Sequence, residues 1–105
     1  MKRKIYIAGK VTGENQTACW NKFSLARYKL MLRGFEPINP LEVVGDFEMP
    51  WDEAMHLCLA ALKTCDGILM LPDHTRSPGA KLEMAKAEEL GIPVYHNLEE
   101  LRGYE

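Results

Sequence analysis

The sequence contains no run of 18 apolar residues, so no segment is long enough to span a bilayer as a helix. A signal-peptide core is missing too, since Met1-Lys2-Arg3-Lys4 is followed only by Ile5–Gly9 before charge returns at Lys10. The expected location is the cytoplasm. Cysteine is scarce: Cys19, Cys58 and Cys65 form no CxxC pair, which fits reduced thiols and excludes a disulfide framework. His56, His74 and His96 make no HxxxH or CxxH pattern, so the spacing offers no metal site, and no cofactor is expected. Charge of one sign is lacking as well, with 13 Lys plus Arg against 15 Asp plus Glu and no five like charges in succession. Without a basic run, neither a nucleic acid polymer nor an anionic membrane is the expected partner.

Several motifs are also absent. Neither GxxxxGK[ST] nor GxGxxG occurs, which removes the P-loop and the dinucleotide fingerprint. The first apolar run ends in Ala8-Gly9-Lys10 with no acidic pair to hold Mg²⁺, so a signalling receiver domain is excluded. There is no internal repeat and no low-complexity stretch. What remains is a chain of 105 residues, 47% of them apolar, which reads as one globular domain over residues 1–105. Such a chain buries roughly two thirds of its unfolded surface, enough for a core without staples.

Strand and helix signals alternate along it. Lys4–Ala8 is a short β-rich run ending at Gly9. Asn15 is placed to cap a helix in which Cys19, Phe23, Ala26 and Leu30 share a face, and Gly34 ends that helix. Residues 35–39 have strand character, with Pro37 indicating an edge. The stretch Pro40–Pro50 shows no clear period and reads as a long loop with at most a helical turn near Leu41. Pro50-Trp51-Asp52-Glu53 opens a helix carrying Trp51, Met55, Cys58, Leu59 and Leu62 on one face, and Asp66-Gly67 follows it. Trp20 and Trp51 are expected as packing anchors, Cys58 as a small core residue and Asp66 as a turn residue. Ile68–Leu71 reads as a strand covered on both sides, followed by a polar loop at 73–77. A helix from Pro78 to Leu90 ends at Gly91; Pro93–His96 is a fourth strand, and Asn97 caps a last helical turn.

Four strands separated by helices predict an α/β fold with a parallel sheet ordered 2-1-3-4 and helices on both faces. Ligands of such sheets bind beyond the carboxyl ends of the strands, where the strand order reverses. Here that point lies between strands one and three. It gathers the loop Gly9–Glu14, the loop Asp73–Ser77 and the start of the third long helix.

Glu83 is the anomaly at this point. At about 100° per residue, with Ala80 at zero, Met84, Ala87 and Leu90 define an apolar arc from roughly 280° to 40°, and Glu83 falls near 300°. Lys81, Lys86, Glu88 and Glu89 all fall outside it. A carboxylate turned toward a sheet costs several kcal/mol unless paired, so Glu83 is either a boundary residue reaching solvent or a lysine, or a functional group. Ser77 is a plain N-cap or, with the amides beyond it at Gly79, part of an anion site. Gly9-Lys10-Val11-Thr12-Gly13 is a glycine-containing turn with a solvated lysine or a ligand loop. Tyr6 packs beneath a helix layer, with its hydroxyl within reach of the pocket.

Lys4-Ile5-Tyr6-Ile7-Ala8-Gly9, the Trp51 helix leading into Cys65-Asp66-Gly67-Ile68, and Ser77-Pro78-Gly79-Ala80-Lys81-Leu82-Glu83 together resemble the nucleoside 2-deoxyribosyltransferase-like superfamily. Within it the chain is most similar to the small, phage-associated DUF4406 family, from Lys4 to about Val94. The resemblance implies a flavodoxin-like three-layer sandwich and chemistry at the N-glycosidic bond of a nucleoside or nucleotide. It implies Glu83 as the nucleophile that forms a glycosyl ester, with Tyr6 beside it and no metal. By the same resemblance Gly9, Lys10, Thr12 and Gly13 wrap the sugar phosphate, and Ser77 leans toward a phosphorylated ligand. Active relatives carry an aspartate eight residues before the position of Asp66; this chain has Cys58, a thiol that cannot replace a carboxylate's charge. Asp73 is the expected substitute. The relatives are larger and build their sites across a dimer, which implies a homodimer or higher homo-oligomer. A second reading, favoured by Cys58, is a catalytically silent nucleotide-binding or regulatory module.

Overall fold

Alternation along the first strand decides the layering. In the computed structural model, which describes residues 2–101, β1 (Lys4–Ala8) turns Ile5 and Ile7 to one side of the sheet and Tyr6 and Ala8 to the other. Met1 and residues 102–105, which the single-domain expectation includes, lie outside the described residues. Helix α1 (Gln16–Leu32) covers the first side by seating Cys19, Phe23, Ala26 and Leu30 against Ile5, Ile7 and Leu69. The second side is covered by α3 (Trp51–Leu62) and α4 (Pro78–Leu90), through Cys58, Leu62, Ala80 and Ala87 against Tyr6, Ala8, Ile68 and Met70.

The remaining strands are β2 (Glu36–Ile38), β3 (Gly67–Met70) and β4 (Val94–Tyr95). All pair in parallel in the order β2-β1-β3-β4, the predicted topology. Tyr6 lies opposite both Ile38 and Ile68, and Ala8 opposite Met70. At the amino end of the sheet, the Lys4 amide donates to Asp66 Oδ2 at 2.8 Å, so Asp66 joins the starts of β1 and β3 far from the ligand edge. Among the described residues, no helix is long and apolar enough to cross a membrane.

Caps set the helix boundaries. The Ala18 amide donates to Asn15 Oδ1 at 2.9 Å at the start of α1, and Gly91, at φ +73°, closes α4 in the left-handed conformation. Within the expected loop, the helical turn near Leu41 is a short helix, α2 (Pro40–Val44). Its signals are local: Asn39 accepts from the Leu41 amide at 3.0 Å, Pro40 occupies the first turn, and Gly45 terminates it at φ +73°. At five residues, α2 is too short to show an apolar period. Because Asn39 is buried, Asn39→Ala is expected to destabilise the fold by about 1–2 kcal/mol, read as a lower midpoint in urea denaturation.

Other elements are shorter or differently formed. The expected polar loop at 73–77 is largely a 3₁₀ helix, Pro72–Arg76. Leu90, expected on the apolar arc of α4, is exposed; the buried face of that helix is Ala80, Glu83 and Ala87. The two residues of β4 give the end of α4 little sheet to pack on. Trp20 and Trp51, expected as packing anchors, are 46% and 44% exposed. Trp51 opens α3 and Trp20 stands in the second turn of α1, and both border a cavity instead of the sheet.

Candidate active site

A cavity of about 580 Å³ opens at the carboxyl end of β1, where the strand order reverses. One wall is the loop after β1, with Gly9, Thr12 and Gly13. Opposite it is the start of α4, with Ser77, Gly79 and Glu83. The amino-terminal parts of α1 and α3 add Trp20 and Trp51, α2 adds Leu41, and the loop between α2 and α3 adds Phe47 and Met49.

Each wall has a local reason. Gly9 is needed because a Cβ there would stand 2.9 Å from Leu71 Cδ1 and 3.1 Å from Asp73 Oδ1. Gly9→Ala is therefore expected to push this loop outward at a cost of about 1–2 kcal/mol, measurable as a fall in the urea midpoint. At the head of α4 the Ala80 amide donates to Ser77 Oγ at 3.1 Å, so the Ser77 hydroxyl is the N-cap, and Pro78 supplies no amide hydrogen. Gly79 lets α4 approach α3 closely: a Cβ on it would meet Met55 Sδ at 3.1 Å.

Glu83, one turn into α4, is only 5% exposed. Tyr6, fully buried on β1, donates its hydroxyl hydrogen bond to Glu83 Oε2. Glu83 also lines the cavity, and no buried side-chain polar atom among the described residues lacks a partner, so its other oxygen is turned toward the open space. Burial pushes the Glu83 carboxyl up to about 7, against a lowering from the Tyr6 hydrogen bond. Burial also pushes the Tyr6 hydroxyl well above its ordinary value, and the neighbouring Glu83 charge adds to that. The arrangement is a neutral phenol that donates to a carboxyl poised near neutral pH. Such a carboxyl can act as a nucleophile when ionised or as an acid when protonated.

Cys58 lines the cavity from α3 and interacts with the Tyr6 hydroxyl. Burial raises its thiol to about 11, so it stays protonated and brings no charge to the site.

Lys10 and Asp73 lie outside the cavity wall. Lys22, from α1, approaches Asp73 Oδ2 at 2.6 Å and donates to the Lys10 carbonyl at 2.7 Å, with Glu14 Oε1 at 3.3 Å. The Lys10 amide donates to Asp73 Oδ1 at 3.0 Å, while the Lys10 ammonium reaches Glu14 at 3.4 Å. Asp73 is thereby held below the usual carboxylate range: the Lys22 and Lys10 bonds outweigh an opposing push from burial. This cluster joins the loop after β1 to α1 and to the segment after β3, and holds the Lys10 and Asp73 side chains away from the cavity wall.

Of the predicted site residues, the cavity brings together Gly9, Thr12, Gly13, Ser77, Gly79 and Glu83, with Tyr6 directly beneath. The reading missed Trp20, Trp51, Phe47 and Met49 as wall residues. The one available signal was large apolar side chains at helix starts and in the segment between two prolines, places where a core residue is not expected.

The four-stranded parallel sheet in this order, with helices on both faces and a buried carboxylate at the switch point, makes this a doubly wound α/β protein, a fold it shares with two solved enzymes. The 2-deoxyribosyltransferase of the psychrotolerant bacterium Bacillus psychrosaccharolyticus superposes with a TM-score of 0.66 at 24% identity, over 87% of this chain and 69% of that one. A second enzyme, the 2-desoxiribosyltransferase of Leishmania mexicana, gives a TM-score of 0.61 at 21% identity, over 88% of this chain and 61% of that one. The chain belongs to the DUF4406 family, a domain of unknown function whose model matches residues 3–96. No curated protein matches it.

Proposed function

We propose that the protein breaks the N-glycosidic bond of a deoxynucleoside or its derivative, passing the sugar through an ester on Glu83 to water or to an acceptor base. The observation that carries this reading is Glu83 itself, a carboxylate 5% exposed, gripped by Tyr6 and open to a cavity. Burial of this kind is costly and is found where a group has work to do. The likeness of fold to two 2-deoxyribosyltransferases supports the same chemistry.

In the proposed reaction ionised Glu83 attacks the anomeric carbon and the base departs; a second attack on the ester returns the carboxylate. Tyr6 holds the attacking carboxylate in one orientation. Trp20, Trp51 and Phe47 give the base flat apolar surface. Homodimerisation belongs to the same reading, because the outer side of α1 exposes Leu25, Tyr28, Met31 and Leu32 in an uncharged strip.

The test is product analysis. Purified protein is incubated with each deoxynucleoside and each 5′-monophosphate, with and without an acceptor base, beside Glu83→Ala. Base release or exchange that vanishes in the variant supports the reading. If nothing turns over while one nucleotide still raises the melting temperature, the second reading, a silent binding module, takes its place. The neutral Cys58 thiol is the observation that favours that second reading.

A further inference from the structure

The cavity wall is unusual in its charge. None of its described lining residues is Lys, Arg or His, whereas Glu14, Glu42, Asp46 and Glu83 all contribute to its wall. The nearby cations are engaged elsewhere: Lys10 and Lys22 with Glu14, Lys22 also with Asp73, and Arg27 with Glu42 at 3.2 Å. Arg76 is exposed and is not part of the wall. At the start of α4 Pro78 has no amide hydrogen and the Ala80 amide is occupied by Ser77, which leaves the Gly79 amide and the Ser77 hydroxyl as neutral donors that bring an anion no counter-charge. A phosphate dianion entering here would lose its hydration and gain no counter-charge.

The cavity is equally poor in acids. A neutral base leaving a sugar must collect a proton, and a positioned general acid accelerates such a step by roughly 10²–10⁴-fold. Glu83 cannot attack and protonate in the same step. Glu42 and Asp46 are exposed carboxylates, Glu14 is bound to two lysines, and Cys58 is a weakly acidic thiol. What the cavity does have is three large aromatic side chains, Trp20, Trp51 and Phe47, with Glu83 and Asp46 as the lining carboxylates that have no ion pair among the described residues. Ring faces and negative charge together attract an organic cation.

We propose that the substrate is an unphosphorylated deoxynucleoside whose base carries a fixed positive charge, such as an N-alkylated purine or a pyridinium, and which therefore leaves without a proton. This rests on the glycosyl-transfer reading above. A bond forms between a Glu83 carboxylate oxygen and the anomeric carbon as the bond from that carbon to the base nitrogen breaks. The electron pair goes to the nitrogen, cancels its charge, and the base departs neutral. Water then attacks the anomeric carbon, the ester oxygen leaves as the Glu83 carboxylate, free deoxyribose is released, and one proton passes to solvent.

Two measurements test this. In the first, base release at pH 8 is followed from nicotinamide 2′-deoxyriboside, whose pyridinium has no ring proton to lose, from 2′-deoxyguanosine and from 2′-deoxyguanosine 5′-monophosphate, each as acceleration over its own spontaneous rate. The expected result is an acceleration for the cationic nucleoside on the order of a hundredfold above that for the neutral one, with the monophosphate slowest. In the second, quenching of tryptophan fluorescence compares 1-methylnicotinamide with nicotinamide, a pair that differs in charge and cannot react. The cation is expected to bind roughly tenfold tighter, with the preference reduced in Trp20→Ala and in Trp51→Ala. Preferred turnover of the monophosphate, or equal binding of the two nicotinamides, would overturn the charge assignment and leave glycosyl transfer standing. Absence of Glu83-dependent release from all three nucleosides would instead overturn the transfer reading and the reaction step built on it.

Discussion

Glu83→Gln is expected to be more stable than the parent protein at pH 8 by about 3 kcal/mol, and equal to it near pH 4. The folded protein holds the Glu83 carboxyl near 7, mainly through burial, whereas the unfolded chain holds it near its ordinary 4.5. Between those values the folded state binds the extra proton, so stability falls as pH rises from about 4.5 through about 7 and is flat on either side. The interval corresponds to about 3 kcal/mol of lost stability at pH 8 relative to pH 4. Glutamine removes the charge while keeping an oxygen for the Tyr6 hydroxyl, and its amide nitrogen can turn to the open cavity. Urea unfolding of both proteins at pH 4, 6 and 8 measures the difference directly. Other titrating groups, present in both, cancel. A constant difference across this range would mean that Glu83 is not the group responsible.

That difference measures what the fold gives up to keep a carboxylate on the inner face of α4. An apolar residue of similar size would pack there at no electrostatic cost. The same carboxylate is most stabilising when protonated and most nucleophilic when ionised, so stability and reactivity are opposed across neutral pH. Tyr6 narrows the gap because its hydrogen bond lowers the Glu83 value against the larger effect of burial.

The architecture was legible because each of its signals is local. Alternating Ile5, Tyr6, Ile7 and Ala8, a β-branched or apolar run at Ile68–Met70 and glycine at helix ends are readable one segment at a time, and handedness rules then leave one economical strand order. Glu83 was legible for a related reason: a single charge inside an apolar arc violates periodicity within one helix. The walls of the cavity were harder to read. Whether Trp20 covers a sheet or a pocket depends on where the amino-terminal part of α1 sits relative to the sheet edge, which no spacing encodes. Lys10 and Asp73 look like ligand groups in sequence, but their engagement with Lys22 joins three elements that lie up to 63 residues apart. Pairings at that separation emerge only from the folded chain.

Tyr6→Phe is expected to move the pH dependence of base release upward, and Glu83→Ala to abolish the reaction. If ionised Glu83 is the nucleophile, kcat/KM for the free protein rises with pH through a midpoint near 7 and levels off above it. Deleting the Tyr6 hydroxyl removes the hydrogen bond that favours the charged form, so the carboxyl stays protonated to higher pH and the rising limb shifts alkaline. At pH 7 the variant loses activity on two counts, a smaller ionised fraction and a less constrained carboxylate. As the pH is raised further the first loss shrinks and the second remains. Loss of the nucleophile in Glu83→Ala is expected to lower kcat by about 10⁴-fold or more, since no other lining carboxylate is both buried and held in place. The pair of profiles separates positioning from packing. A Tyr6→Phe protein that is less stable but has an unshifted pH profile would show that Tyr6 only fills space under α4, whereas an alkaline shift requires that its hydroxyl set the charge on Glu83.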